Sequence, residues 1–411
     1  MKDEKKAPKL RFKGFTDDWE QCKLGDVFSF LKNSTLSRSE LNYESGKFKY
    51  IHYGDILTKF GDITDTRNFS VPFVTTPEKV IRLEKYFLQN GDVVIADTAE
   101  DSMVGKVTEI QNPDPFPTVS GLHTIPIRPN KEFAAGFLGH YMNAPFYHDQ
   151  LFKLMQGVKV LSLSKSAVIQ TKINSPSYCE QRLISRMINL IDGTITLHEE
   201  KKRQLERLKS ALLQKMFADK SGYPPVRFEG FSDKWEQVKY GEIFQRRSKM
   251  GVSTPTLPSV EYDDINPGMG TLNKEPKSKG ISKRGIYFNP GDVLFGKLRP
   301  YLKNWLFACF EGVAVGDFWV LTSSKIDHGF TYSLIQTPGF QYIANLSSGS
   351  KMPRSDWGLV SNARTFIPIN HLEQERISSV LFGLDHAITL YEHKLEILNK
   401  IKSFLLQNMF I

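Results

Sequence analysis

The chain has only three cysteines in 411 residues, Cys22, Cys179 and Cys309, and they stand far apart. An odd, scattered count excludes a disulfide framework and a cysteine-held zinc site, and it suits a reducing compartment. No stretch reaches the roughly 18 apolar residues of a membrane span. The opening MKDEKKAPK is charged and leads into no apolar run, so it does not read as a signal peptide. A cytoplasmic protein without a membrane partner is expected.

Motifs of catalysis are equally scarce. Gly46-Lys47, Gly105-Lys106 and Gly296-Lys297 are each followed by the wrong residue for a GxxxxGK[ST] phosphate loop. No GxGxxG turn opens a helix, so neither a dinucleotide nor a methyl-donor loop is encoded. Asn112-Pro113-Asp114-Pro115-Phe116 resembles an amino-methyltransferase Asn-Pro-Pro-Phe loop, but Asp114 splits the prolines and a Pro-rich turn is expected. Glu392-His393-Lys394 has the Glu-x-Lys form of some nucleases, yet it falls on a heptad helix and reads as a solvated face. The nine histidines show no metal-ligand spacing. The reading therefore contains no catalytic residue, no metal and no cofactor bound by this chain.

Apolar residues make up 40% and charged residues 24%, the balance of a chain that can bury real cores. At this length more than one domain is expected. The net charge of +9 favours a polyanionic partner.

The chain repeats itself. Residues 11–28, RFKGFTDDWEQCKLGDVF, return at 227–244 as RFEGFSDKWEQVKYGEIF, with 11 of 18 positions identical. Gly91-Asp92-Val93 returns as Gly291-Asp292-Val293, each a turn leading into a buried strand. Two longer segments begin at Glu180-Gln181 and Glu373-Gln374 and align without a gap to Phe217 and Phe410. In the first, Ile184, Ile188, Ile191, Ile195, Leu205 and Leu212 fall in steps of three and four or sums of these. In the second, Ile377, Leu381, Leu384, Ile388, Leu395, Leu398 and Leu405 do the same. That spacing predicts two long helices with a lengthwise seam. His198 and Lys202 interrupt the first seam and are read as snorkelling to water. Trp19 and Trp235 are read as buried framework.

The fold class is α+β: two similar globular domains separated by a pair of long antiparallel coiled-coil helices, with an internal pseudo-two-fold. The expected boundaries are 1–175, a central helix 176–219, a second domain 220–370, and a C-terminal helix 371–411. Shorter helices are expected over 136–155 and 329–346, interrupted at Pro145 and Pro338.

Basic loops give the chemistry. In GDVLFGKLRPYLKN, Lys297, Arg299 and Lys303 alternate with Leu298 and Tyr301 after the buried strand. Arginine and lysine in that setting suit phosphate contact, and arginine can take guanine bidentately. Arg246, Arg247, Lys249, Lys351 and Arg354 join the second-half set. The first half offers Arg38, Lys106, Lys159, Ser162 and Lys165. Its counterpart of the Lys297 loop, ADTAEDSMVGK, is acidic; Glu100 and Asp101 are read there as turn residues. A shared framework with unlike tips suits two modules that read two different half-sites.

The repeated F.GF.D.WE segments, the Gly-Asp-Val turns, GKLRPYLKN at 296–304 and the helices ending LLQKMF and LLQNMF together resemble the specificity (S) subunit of type I restriction–modification enzymes. The resemblance covers essentially the whole chain. It implies two target-recognition domains that read a bipartite sequence in double-stranded DNA. It also implies helices that act as a spacer and dock two methyltransferase (modification) subunits, with restriction subunits joined through them. S-adenosylmethionine, ATP and Mg²⁺ would serve those partners. The competing readings are a coiled-coil protein adaptor indifferent to DNA and a nuclease with an unrecognised site.

Overall fold

The computed structural model describes residues 7–100, 103–275, 282–346 and 352–411. The chain divides into two compact units, Met1–Thr196 with Glu396–Ile411, and Leu197–Leu395. These divisions fall inside the two long helices, so each helix belongs to both units and neither forms a domain of its own.

The first unit contains β1 (Glu20–Lys23), β2 (Phe28–Phe30), β3 (Ile63–Asp65), β4 (Val93–Ala96), β5 (Val107–Gln111) and β6 (Thr124–Pro129). Helices α1 (Phe137–Asn143) and α2 (Pro145–Phe152), strand β7 (Lys172–Ser175) and helix α3 (Tyr178–Lys215) follow. Its main sheet runs β2-β6-β4-β5-β3, antiparallel except for the β3–β5 pair. The Gly91 turn explains where β4 starts. Gly91 holds φ of 85°, which a side chain disfavours, and the Asp92 carboxylate accepts from the Gln89 N–H at 2.8 Å. All four residues of β4 are buried. Pro145 begins α2, where its missing N–H costs nothing.

The second unit repeats the plan with β8 (Glu236–Lys239), β9 (Gln245–Arg246), β10 (Val293–Gly296), β11 (Trp305–Phe307) and β12 (Phe318–Thr322). Helices α4 (His328–Ile335) and α5 (Pro338–Ala344), strand β13 (Arg364–Ile367) and helix α6 (His371–Asn408) follow. The sheet order is β9-β12-β10-β11. As expected, α1 and α2 divide at Pro145, and Pro338 opens α5. Each unit is thus mixed α and β, and the two long helices run where the heptads place them.

The start of each long helix is clamped to its unit by the repeated Glu-Gln. Buried Glu180 accepts from Arg11 Nε and Nη2 at 2.8 and 2.7 Å. Gln181 accepts from the Ala134 N–H and donates to the Pro176 carbonyl. In the second unit Glu373 accepts from Arg227 at 2.7 and 2.8 Å, and Gln374 bridges the Asp327 N–H and the Pro368 carbonyl. Each helix ends in the core of the other unit. Phe217 packs edge-on to Trp235, with ring centroids 6.3 Å apart. Phe410 packs likewise on Trp19 at 6.4 Å. Both tryptophans are buried, as framework residues should be.

Within each unit the long helices pair antiparallel. In the second, Lys202 meets Glu392 at 2.7 Å, and further along α3 Lys209 meets Asp385, further back along α6. In the first, Ile184 and Ile188 share a core with Leu405 and Met409, and Asp192 meets Lys402 at 2.8 Å. Lys209–Asp385 and Lys402–Asp192 join the same two repeat positions. Of the predicted seam, Ile184, Ile188, Ile377, Leu381, Ile388 and Leu405 are buried, and Ile191, Ile195, Leu205, Leu212, Leu384, Leu395 and Leu398 half-buried. His198 and Lys202 do not snorkel to water. The His198 ring lies edge-on to Tyr391 at 5.3 Å, and the Lys202 ammonium reaches Glu392 because α6 supplies a carboxylate there.

One cluster was invisible to sequence spacing. Asp62, His140 and Asp192 bring potential metal-ligand atoms within 4.8 Å of one another. The Lys402 ammonium stands against both carboxylates, 3.2 Å from Asp62, and supplies the positive charge. Burial alone would raise the Asp62 pKa. The His140 hydrogen bond and the Lys402 charge outweigh it and bring the carboxyl down to about 2 from an ordinary 3.8.

Two stability tests follow from these pairs. Glu373→Ala leaves Arg227 largely buried without its carboxylate and should cost about 3 kcal/mol in thermal or urea unfolding, whereas the exposed Glu375→Ala should cost almost nothing. Asp62 titrates lower folded than unfolded, so its contribution of about 2 kcal/mol is present above pH 4 and lost as pH falls toward 2. The stability gap between the wild type and Asp62→Asn should therefore close over that interval. A gap that persists at pH 2 removes the pairing from the account.

Candidate nucleic-acid interface

The Gly-Asp turns carry a buried carboxylate in each unit, and each needs a cation. Asp92 receives Arg128 from β6 at 2.8 and 2.7 Å. Asp292 receives Arg247, which follows β9, at 2.5 and 3.0 Å. The same requirement is met from a different strand position in each unit, so the repeated segments carry no sign of it. Arg247, an expected DNA contact, is tied to Asp292 with about a third of its side chain still exposed. Arg38 is similarly committed: both Nη atoms lie 2.6 Å from the buried Asp55 carboxylate. Lys106 is half-buried and donates to the Leu57 carbonyl at 3.1 Å, and burial pushes its pKa down.

Part of the second unit's basic set, Arg247 among it, lines a cleft of about 840 Å³ beside β9 and β12. Arg246, Lys297 and Lys239 line it together with Trp319 and Trp357. The exposed Arg246 guanidinium lies 4.6 Å from the centre of the Trp357 ring, a cation–π arrangement that stiffens a long side chain. Lys249 stands over Tyr287 at 5.5 Å. Asp317 pairs with Lys297 at 3.6 Å and with Arg354 at 2.9 Å, so one carboxylate orients two expected contacts.

The loop after β10 is held rigid from several sides. Arg299 N–H donates to the Pro353 carbonyl at 2.8 Å, Leu298 N–H to Tyr262 Oη at 3.2 Å, and Gly268 N–H to the Lys303 carbonyl at 2.8 Å. Arg299 and Lys303 both adopt left-handed backbone, with φ of 49° and 58°, which a non-glycine residue adopts at a cost. Between them Tyr301 is 56% exposed, so the loop projects an aromatic ring flanked by two cations. Among the described residues neither Arg299 nor Lys303 has an ion-pair partner. Lys351 lies outside the described residues, as does Asp101.

In the first unit Lys159 and Lys165 are exposed. Ser162 lies in the short strand Leu161–Ser162, which pairs with Thr98–Ala99. Its place corresponds to Arg354, which bridges Leu298 in the same antiparallel sense. Glu100 is exposed on the loop that follows. Among the described residues, the stretch after β4 has no counterpart of Lys297, Arg299 and Lys303.

Residues 16–207 match the family model for the type I restriction modification DNA specificity domain. The chain is 21% identical over 294 residues to a putative type I restriction enzyme MjaX specificity subunit of Methanocaldococcus jannaschii, covering 69% of this chain and 61% of that one. It is 22% identical over 204 residues to the type I restriction enzyme StySPI specificity subunit of Salmonella potsdam, covering 48% and 42%. The matches therefore span less than two thirds of these curated relatives. Among solved structures, the S subunit of a type I restriction-modification system from M. genitalium superposes with a TM-score of 0.64 at 14% identity, over 98% of this chain and 99% of that one. A chain from a structural study of complex assembly and conformational transition of the type I R-M system gives 0.51 at 17% identity, over 96% and 98%. This chain shares their fold.

Adjacent arginines should separate structure from surface. Arg247→Ala strands the buried Asp292 carboxylate and should lower stability by about 3 kcal/mol in thermal unfolding. Arg246→Ala should change it by less than about 0.5 kcal/mol. Equal losses would contradict this division of roles.

Proposed function

We propose, for a chain that carries the type I restriction modification DNA specificity domain, that each of its units reads one part of a bipartite sequence in double-stranded DNA. The observation that carries this reading is the rigid Lys297–Lys303 loop, with Tyr301 exposed between two cations free of ion pairs among the described residues. It stands on a framework that the other unit repeats with a different tip. Rigid placement suits base reading, because a preordered loop loses little freedom on binding. Lysine and arginine beyond the loop supply phosphate contacts, which position the duplex without reading it.

The long helices are the proposed spacer and the docking site for two methyltransferase subunits, with restriction subunits joined through them. Apolar side chains left exposed on the helices support this role. In the first unit these are Leu190, Ile397, Ile401 and Phe404, and in the second Leu197, Leu208 and Leu390. S-adenosylmethionine, ATP and Mg²⁺ chemistry belongs in this proposal to those partners, and this chain acts without catalysis. No helix among the described residues is long and apolar enough to cross a membrane.

Binding of the full chain with its methyltransferase partner to target duplex should weaken as salt rises. Replacing the exposed Lys249, a cation beyond the loop, by alanine should reduce the slope of log K against log salt by about 0.9, the effect of one lost phosphate contact. Arg299→Ala should cost about 1–3 kcal/mol of discrimination at one base pair and leave the other half-target read. Equal affinity for all duplexes would refute sequence reading.

A further inference from the structure

Strand register makes the tips of the two units comparable residue by residue. Val93 pairs with Ile127 and Ala96 with Thr124; Val293 pairs with Leu321 and Gly296 with Phe318. One residue further on, Asp97 N–H donates to the His123 carbonyl at 3.1 Å, and Lys297 N–H to the Asp317 carbonyl at 2.9 Å. On the other side, Leu163 N–H donates to the Asp97 carbonyl and Ser355 N–H to the Lys297 carbonyl, both at 2.8 Å. Asp97 and Lys297 therefore occupy one position of the plan, and His123 and Asp317 another.

The side chains at these positions face each other with opposite polarity. His123 Nδ1 lies 3.6 Å from Asp97 Oδ1, and Lys297 Nζ lies 3.6 Å from Asp317 Oδ1. In the first unit the carboxylate directly follows the central strand β4 and the nitrogen group directly precedes β6. In the second unit the two are exchanged. Thr98 Oγ1 donates to Asp97 Oδ1 at 2.7 Å and fixes the carboxylate. His123 has φ of 56°, a strained conformation shared with Arg299 and Lys303, and its ring lies edge-on to Tyr53 at 5.3 Å. About half of the His123 side chain and a quarter of Asp97 remain open.

We propose that Asp97 is the base-reading residue of the first unit, oriented by Thr98 and His123, and that it accepts from the exocyclic amino group of a cytosine or adenine. This rests on the DNA-reading function proposed above. A carboxylate near phosphates is repelled unless a donor on a base edge meets it, and in the major groove only cytosine and adenine present an amino donor. Lys297, at the same place in the second unit, is a donor and suits the acceptor edge of guanine. The reversed pair gives two similar modules complementary demands on their half-sites.

The test selects duplexes from a randomised library with the full chain assembled with its methyltransferase subunits, and sequences those retained. The wild type should yield a two-part motif. Asp97→Asn, nearly isosteric, should lower discrimination at one position of one half-motif about tenfold or more. The other half-motif should stay intact, which shows that the assembly has folded. Asp97→Ala should do the same. Both half-motifs unchanged in both variants overturns the assignment. Tighter retention of all duplexes with an unchanged motif also overturns it, because Asp97 would then only repel. A wild type that retains all duplexes equally brings down the DNA-reading function itself, and this inference with it.

Discussion

A buried carboxylate tied to an arginine holds each unit together at the place where its parts converge. Arg11 and Arg227 come from the opening segments, and Glu180 and Glu373 from the first turns of the long helices. Removing such glutamates from water is costly, and only a two-pronged guanidinium with further hydrogen bonds offsets it. The adjacent glutamines then fasten the helix to backbone groups of the same unit. The repeated motifs therefore mark a joint.

That joint allows the tips to vary. Framework strands end at the same register in both units, so whatever side chain follows β4 or β10 is delivered to the same place. The frame demands a cation for Asp92 and Asp292 but is indifferent to which strand provides it. Beyond the strand ends, charge can be reversed without disturbing the core, as Asp97 and Lys297 illustrate. Strained backbone at His123, Arg299 and Lys303 lies at these same tips, where the surrounding hydrogen bonds hold it.

Much of the frame was legible in the residues alone. The heptad spacing located both long helices to within about four residues, and Pro145 and Pro338 divided the shorter ones. The site was less legible. Arg38, Lys106 and Arg247 looked like free cations, because a sequence shows charge without showing what lies opposite it. Asp55, the Leu57 carbonyl and Asp292 come from elsewhere in the chain and absorb them. The same holds for Lys202, whose partner Glu392 lies on the other helix.

The duplication, the α+β character, the seams and the family resemblance can be read from the residues alone, because they rest on local periodicity and on segments the chain repeats. Which cations among the described residues lack an ion pair, the division of the compact units inside the helices, and the opposite polarity of the pairs at the tips emerge only on folding. Those outcomes depend on residues distant in the chain meeting within a few ångströms, and hydrogen bonds and ion pairs act only over that range.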